Sequence, residues 1–162
     1  MDCLQENYII DHITEVDFTP VLDAIKYKFY ELIFTIKNDL GVSVAYNIFS
    51  DTDETETHYH SVYMLTLGAT PTMYAARYNN ANILGLTTGE VCNGKAVIML
   101  DVNNKVRTMV NVNRFTPTTI EALFRCQMRD NAGTLTALKL KTDVANGIGA
   151  GSRLLLYGIK GL

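Results

Sequence analysis

The sequence predicts an all-β protein, an antiparallel β-sandwich or jelly roll with at most one short helix near residues 20–27. Three observations carry this. Apolar and polar residues alternate at a period of two in segment after segment, the pattern of strands with one buried face. The segments are short and separated by turn-forming residues. The chain has 162 residues, 48% of them apolar, enough for one domain with its own core. No repeat or linker interrupts it.

Residues 1–10, MDCLQENYII, read as an N-terminal arm outside the sandwich, and residues 11–162 as a single sandwich domain. In TPVLDAIKYKFYELIF, the residues Val21, Leu22, Ile25 and Phe29 fit a helical stripe, which allows one turn between Pro20 and Tyr27. The period then becomes two. Tyr30, Leu32, Phe34 and Ile36 alternate with Glu31, Thr35 and Lys37, a half-buried strand. VAYNIF (44–49) is the next strand, and YHSVYMLTL (59–67) places Tyr59, Ser61, Tyr63, Leu65 and Leu67 on one side.

A turn is expected at Asn93-Gly94. VIMLDVNNKVRTMV reads as a hairpin over residues 97–112 closed by a two-residue Asn103-Asn104 loop, because Asn accepts the positive φ that a type I′ turn needs twice. Pairing Val102 with Lys105 sets Leu100 opposite Arg107 and Met99 opposite Thr108. Val97, Met99, Val106 and Val110 are then read onto one face, with Ile98, Leu100, Val102 and Met109 on the other. A solvent-facing antiparallel sheet carries one polar face, so something is expected to cover the second apolar one, and a subunit contact is one candidate.

In IEALFRCQM (120–128), the row Ile120, Ala122, Phe124, Cys126 and Met128 opposes Glu121, Arg125 and Gln127. The apolar row reads as the core face, with Cys126 a small core residue. TLTALKLK (134–141) follows the turn signal RDNAG, and SRLLLYGI (152–159) follows the glycine-rich NGIGAGS. The last segment is apolar on both faces, which suits a central strand covered on both faces, and Gly158 would permit a bulge or close backbone approach. The sum is eight to ten short strands.

Net charge is −3, and the basic residues of the second half are scattered, so nucleic acid is not an expected partner. Residues 1–56 hold 12 acids and 3 bases, whereas residues 57–162 hold 5 acids and 11 bases. Strands from the two halves are expected to lie side by side and cancel, or else copies attract. No run approaches the roughly 20 apolar residues of a membrane helix. The first ten residues lack the basic and apolar regions of a signal peptide, so folding in a cytoplasm, or in a particle assembled there, is expected. Cys3, Cys92 and Cys126 are far apart and have neither disulfide-framework nor zinc spacing.

SDTDETETHYH (50–60) is the most chemically loaded stretch. Read as a calcium loop from Asp51, its sixth residue is Glu56 and its twelfth Val62, where Gly and Glu are needed. His58 and His60 share a strand side, but a zinc site needs a third ligand from His12 or a carboxylate. The reading is a solvated loop, with Asp51, Asp53, Glu54, Glu56 and His58 exposed. No GxSxG, HExxH, P-loop or GxGxxG occurs, and the carboxylates sit on a turn without a pocket. No enzyme activity, metal or cofactor is expected.

The chain closes with AGSRLLLYGIKGL. Gly151-Ser152, an apolar alternation, then Tyr157-Gly158-Ile159 resembles the last strand of a β-sandwich domain in virion proteins of tailed bacteriophages, of the head-decoration, tail-fibre and receptor-binding kinds. Looser likenesses are Ile13 to Phe18, Tyr27 to Ile33, YNIFSDTDETETHYHSVY, Leu135 to Leu140 and the glycine-rich loop 146–151, so the resemblance spans residues 12–160. Many such domains carry a Trp before the penultimate strand; this chain has none, which counts against a sugar-stacking platform. The resemblance implies a capsid-decorating or cement protein on the head exterior. It would act as a homo-oligomer, with a trimer favoured, against the major capsid protein or another virion protein. One sandwich takes up nearly the whole chain, which favours decoration over a fibre tip. Candidate partner contacts are Tyr8, Ile9 and Ile10 in the arm, and Ile98, Leu100, Val102 and Met109 in the hairpin. The alternative is a receptor- or glycan-binding module of a tail fibre or capsid spike that uses tyrosines such as Tyr63, Tyr74 and Tyr78 to hold a host-surface glycan. No membrane contact is expected.

Overall fold

The computed structural model describes residues 1–23, 25–50, 54–55, 58–67, 72–78, 80–100, 105–116, 120–129 and 135–160; for Pro20, Leu67, 72–78 and Leu100 it describes the backbone only. Among these residues are twelve strands: β1 (Asp2–Tyr8), β2 (Glu15–Asp17), β3 (Phe29–Lys37), β4 (Val44–Ser50), β5 (Tyr59–Leu67), β6 (Thr72–Tyr78), β7 (Asn82–Leu86), β8 (Val91–Leu100), β9 (Val106–Phe115), β10 (Ile120–Arg129), β11 (Leu138–Thr142) and β12 (Arg153–Ile159). They pair antiparallel into two sheets. The larger runs β1-β12-β3-β8-β9-β10-β5-β6 and the smaller β2-β11-β4-β7. The expected all-β sandwich is therefore the architecture. The helical expectation reduces to a 3-10 turn over Thr19–Val21 and one bond from Tyr27 N–H to Asp23 O at 2.9 Å. No helix among the described residues is long and apolar enough to cross a membrane.

The core lies between the sheets. Alternation in β3 sends Tyr30, Leu32, Phe34 and Ile36 inward, and β12 adds Leu154 and Leu156 beside them. Val44, Tyr46 and Ile48 of β4, with Leu138 and Leu140 of β11, face them from the smaller sheet. Buried polar groups at this level are bonded, as a dry interior demands. Tyr46 Oη donates to Gly147 O at 2.7 Å, and Asn38 Nδ2 donates to Val42 O and Leu86 O. Tyr46 desolvation pushes its hydroxyl pKa up, keeping it a neutral donor. The charge halves do cancel locally. Asp2 pairs with Lys160, Glu6 with Arg153, Glu15 with Lys139 and Glu31 with Lys95, each an acid of the first half beside a base of the second.

Four sequence expectations need correction. Residues 2–8 of the expected arm form β1, an edge strand bonded to β12 from Asp2↔Gly158 to Tyr8↔Arg153, because its backbone groups complete a ladder that β12 would otherwise leave open. The Asn93-Gly94 turn does not exist; both residues lie inside β8. Gly94 is there because the Phe34 ring lies over it, and a Cβ would sit 2.4 Å from Phe34 Cε2.

The hairpin loop itself, with Val102, Asn103 and Asn104, falls outside the described residues, but its arms pair as Leu100↔Val106 and Met99↔Arg107, one residue away from the expected register. A slip of one exchanges faces. Val106, Thr108, Val110 and Val112 therefore point inward with Ile98, while Met109 points outward beside Val97.

The fourth correction concerns β10. Arg125, Gln127 and Arg129 are buried, and the apolar row with Cys126 faces out. The alternation was read correctly, but donors on the polar row are wanted inside, as described below.

Gly94→Ala forces the Phe34 ring aside in a packed layer, and the expected loss is about 1–3 kcal/mol. Urea unfolding of Gly94→Ala checks this. An unchanged midpoint would mean that the ring does not rest on β8.

Candidate functional site

The polar row of β10 ties the two sheets together. Gln127 Nε2 donates to Ile48 O at 3.1 Å and Arg129 Nη1 to Ser50 O at 2.7 Å, both carbonyls of β4. Arg125 Nη1 reaches Asn82 Oδ1 at 3.0 Å, and Nη2 reaches Ser61 Oγ and Asn80 Oδ1, each at 2.6 Å. Tyr59 Oη, fully buried beside Phe49, bonds Ser50 at the same end. Charged donors aimed at fixed oxygens offset much of the desolvation that burying them costs. This seam puts the polar row inward.

Two surfaces follow from that choice. The first is the outer face of the larger sheet. Cross-strand register aligns Val62, Cys126, Met109 and Val97 in one row, and Met64 and Phe124 in the next. Val62, Met64 and Met109 are 44%, 41% and 37% exposed, and Ile120 is 66% exposed at the row's end. A groove of about 550 Å³ runs between Val62, Met99, Met109, Cys126 and Met128. Arg107 and His60 also line it.

The second is a cleft where the inner faces of β5, β9 and β10 emerge from under the edge strand β7, with a volume of about 400 Å³. Leu65, Leu84, Leu86 and Leu123 make an apolar floor. Around it stand Arg125, Asn82, Tyr63, Asp143 and the Arg114–Glu121 ion pair. The Arg125 guanidinium lies 5.8 Å from the Tyr63 ring centroid, and Arg114 Nη1 also donates to Gly85 O at 3.2 Å. The cleft thus carries both donors and acceptors over apolar ground.

The expected contact residues are distributed differently. Tyr8 and Ile10 are exposed, Ile9 is buried, Ile98 belongs to the core, and Met109 lies in the outer groove. Ile98 was expected to share a partner-facing surface with Met109, but the register puts the two on opposite faces. The side chain of Leu100 and all of Val102 lie outside the described residues, as do Asp51, Asp53, Glu56 and the side chains of Tyr74 and Tyr78.

In the expected loop, Glu54 is exposed and bonds Lys139 Nζ at 2.9 Å and Lys141 Nζ at 2.5 Å across β11. Its hydrogen bonds to Lys141 and then Lys139 hold the carboxyl below its ordinary value of 4.5. His58, expected to be exposed, is half-buried, its N–H bonded to Thr55 O at 3.0 Å, because the chain tightens there into the start of β5. No cluster of metal-ligating side chains occurs among the described residues. Arg114, Glu121 and Arg125 of the cleft were not singled out as a site. The signal available was the even spacing of Glu121, Arg125 and Arg129, each four residues on from the last, which keeps them on one strand face.

No protein-family model matches the chain, and no curated protein matches it. Among solved structures, it is similar to a galectin, LEC-6 of Caenorhabditis elegans, with 10% identity, 96% of each chain covered and a TM-score of 0.37. It is also similar to the ancestral congerin Con-anc, with 13% identity, 93% of this chain and 98% of the other covered, and a TM-score of 0.27. An endo-beta-1,4-glucuronan lyase from the fungus Trichoderma reesei gives 10% identity, 98% and 79% coverage and a TM-score of 0.31. None of the three is a virion protein. At such scores the likeness carries no functional meaning for this chain, whose two layers stand on their own strand pairing.

Arg125→Met keeps the bulk but removes the donors of Ser61, Asn80 and Asn82, and the expected cost is about 1–3 kcal/mol. An equal or higher urea midpoint would remove the seam as a stabilising element. A second expectation concerns acid. A carboxylate with a depressed pKa contributes stability that is present above its unfolded value and lost as pH falls through the folded one. Glu54→Gln should therefore lower stability at neutral pH and flatten the acid limb below pH 4.5, read from unfolding curves across a pH series.

Proposed function

We propose that this chain is a non-enzymatic structural protein that assembles as a symmetric homo-oligomer through the outer face of its larger sheet. In line with the terminal-strand resemblance, we propose that it decorates the exterior of a tailed-phage head. The observation that carries the reading is the outward turn of Ile120, Phe124, Cys126 and Met128 beside Val62, Met64 and Met109. A lone sandwich leaves this face wet, whereas apolar surface removed from water contributes roughly 25 cal/mol per Å².

The occupant we favour is a second copy. Across β9, β10 and β5, the described outward side chains include only Arg107 and His60 as cationic or titratable nitrogen groups. Two such faces meet with little like-charge cost, while a strongly charged partner finds few counter-charges. Such a protein turns nothing over; area buried across joints slows dissociation of the shell.

A second reading draws support from the cleft. Tyr63, Arg125, Asn82 and Glu121 over a leucine floor offer donors, acceptors and a ring to a neutral polar ligand, which suits a receptor- or glycan-binding module. Loss of oligosaccharide binding in Tyr63→Ala would favour it.

Sedimentation velocity at rising concentration should show an oligomer. Phe124→Glu and Val62→Glu should each return folded monomers whose urea midpoint, unlike that of the wild type, does not rise with protein concentration. Cys3 and Cys126 are exposed, while burial pushes the Cys92 thiol up to about 12. A thiol reagent should therefore spare Cys92 in the folded protein and label Cys126 in the monomer but not in the oligomer. A wild-type monomer at every concentration would overturn the reading. Placement on the head is tested by adding the protein to particles that lack it; density at the tail tip alone would favour the receptor module.

A further inference from the structure

We propose that residues 2–9 are exchanged between copies, so that β1 of one protomer pairs with β12 of its neighbour. This deepens the homo-oligomer proposed above by adding an edge contact to the face contact, and it rests on that reading only in requiring a second copy.

β1 is held to its body at an edge: Tyr27 Oη donates to Asp2 at 2.9 Å, Gln5 Nε2 donates to Asp17 O at 3.1 Å, and Leu4 packs part-buried against the core. None of its seven residues is buried. Its ladder to β12 is irregular between Cys3 and Gln5. Its ion pairs lie at the surface: Asp2 with Lys160 at 3.3 Å and with Lys26 at 3.8 Å, and Glu6 with Arg153 at 2.7 Å. Surface pairs of this kind contribute little net stability. Asn7 Nδ2 is buried without a hydrogen-bond partner among the described residues, so this part of the strand is not fully satisfied where it lies.

The joint to the body is also suited to exchange. Ile9 is buried and bonded both ways to the chain before β12, its N–H to Ser152 O at 2.9 Å and its O from Gly151 N–H at 2.7 Å. The next fixed point is the bridge Ile13↔Ile148. Between them Ile10, Asp11 and His12 are exposed, Ile10 at 76%, and make no backbone hydrogen bond among the described residues. His12 is tied to the body through Asp39 at 2.6 Å.

A hinge at 10–12 therefore separates a transferable strand from a fixed one. Every bond from residues 2–9 to Ser152 and β12 is available unchanged on an identical copy, so exchange sacrifices no ladder. It offers cover for Tyr8 and Ile10, which are wet in the closed form. A three-residue hinge reaches roughly 10 Å. The start of β12 in one copy must then lie within that reach of the Ile13 bridge of its neighbour, and the exchanged β1 strands remain the edges of the two larger sheets.

The register supplies the test. Cys3 lies opposite Tyr157, at a spacing a disulfide spans. In a Tyr157→Cys chain that also carries Cys126→Ser, oxidation with diamide should give covalent oligomers on a non-reducing gel. They should be absent from the Cys126→Ser chain with Tyr157 intact, and the largest species reports the ring size. An internal disulfide alone, in protein that sediments as an oligomer, overturns the exchange and leaves the face contact standing. An internal disulfide in protein that sediments as a monomer overturns both. No disulfide of either kind also overturns the exchange, because it takes β1 off β12. Should Tyr157→Cys fail to fold, Tyr8→Cys with Arg153→Cys, Cys3→Ser and Cys126→Ser uses the surface pair Tyr8↔Arg153 with the same outcomes.

Discussion

The buried hydrogen bonds of β10 decide how this protein meets its surroundings. Arg125, Gln127 and Arg129 reach across the sandwich to oxygens of β4, Asn80 and Asn82, and a strand has only two faces. Once the polar row is inside, the row from Ile120 to Met128 has nowhere to go but outward. The same seam positions β7 over β9 and β10 and leaves the cleft beside it. Both candidate surfaces are by-products of satisfying donors in the interior.

The strands themselves were legible because alternation is a local property. β3 was read with the correct inward residues, Tyr30, Leu32, Phe34 and Ile36. β12 was expected to be covered on both faces, but only Leu154, Leu156 and Gly158 are buried, while Arg153 is exposed and Leu155, Tyr157 and Ile159 are half-buried on the outer face of the sheet. β10 was read with its rows reversed for a physical reason. Hydropathy ranks two faces, but an unpaired carbonyl across the interior can outbid it, and Ile48 O and Ser50 O lie some 80 residues away in the chain. The hairpin shows the same limit. Asn103-Asn104 suggested a two-residue turn, yet packing of Val106, Val110 and Ile98 against one another selects the register, and a single-residue difference moved Met109 to the other side of the sheet. β1 was missed because its pattern is mostly polar and its identity as a strand depends on β12.

Glycines carry a parallel lesson. Gly94 was read as a turn and Gly158 as a place of close approach, and only the second reading describes both. The Phe34 ring rests on the first and the Tyr27 ring on the second, with a would-be Cβ of Gly158 2.6 Å from Tyr27 Cγ. In a sheet interior, a missing side chain is as much a packing element as a present one.

The pairing of acidic first-half strands with basic second-half strands bears on how the chain folds. β3 bonds on one side to β8 and on the other to β12, and β1 bonds to β12 alone. β1 and β3 therefore have no strand partner within the first half of the chain, and every pairing they make is long-range. Such topology puts the closure of the larger sheet after most of the chain is in place and makes it slow to form.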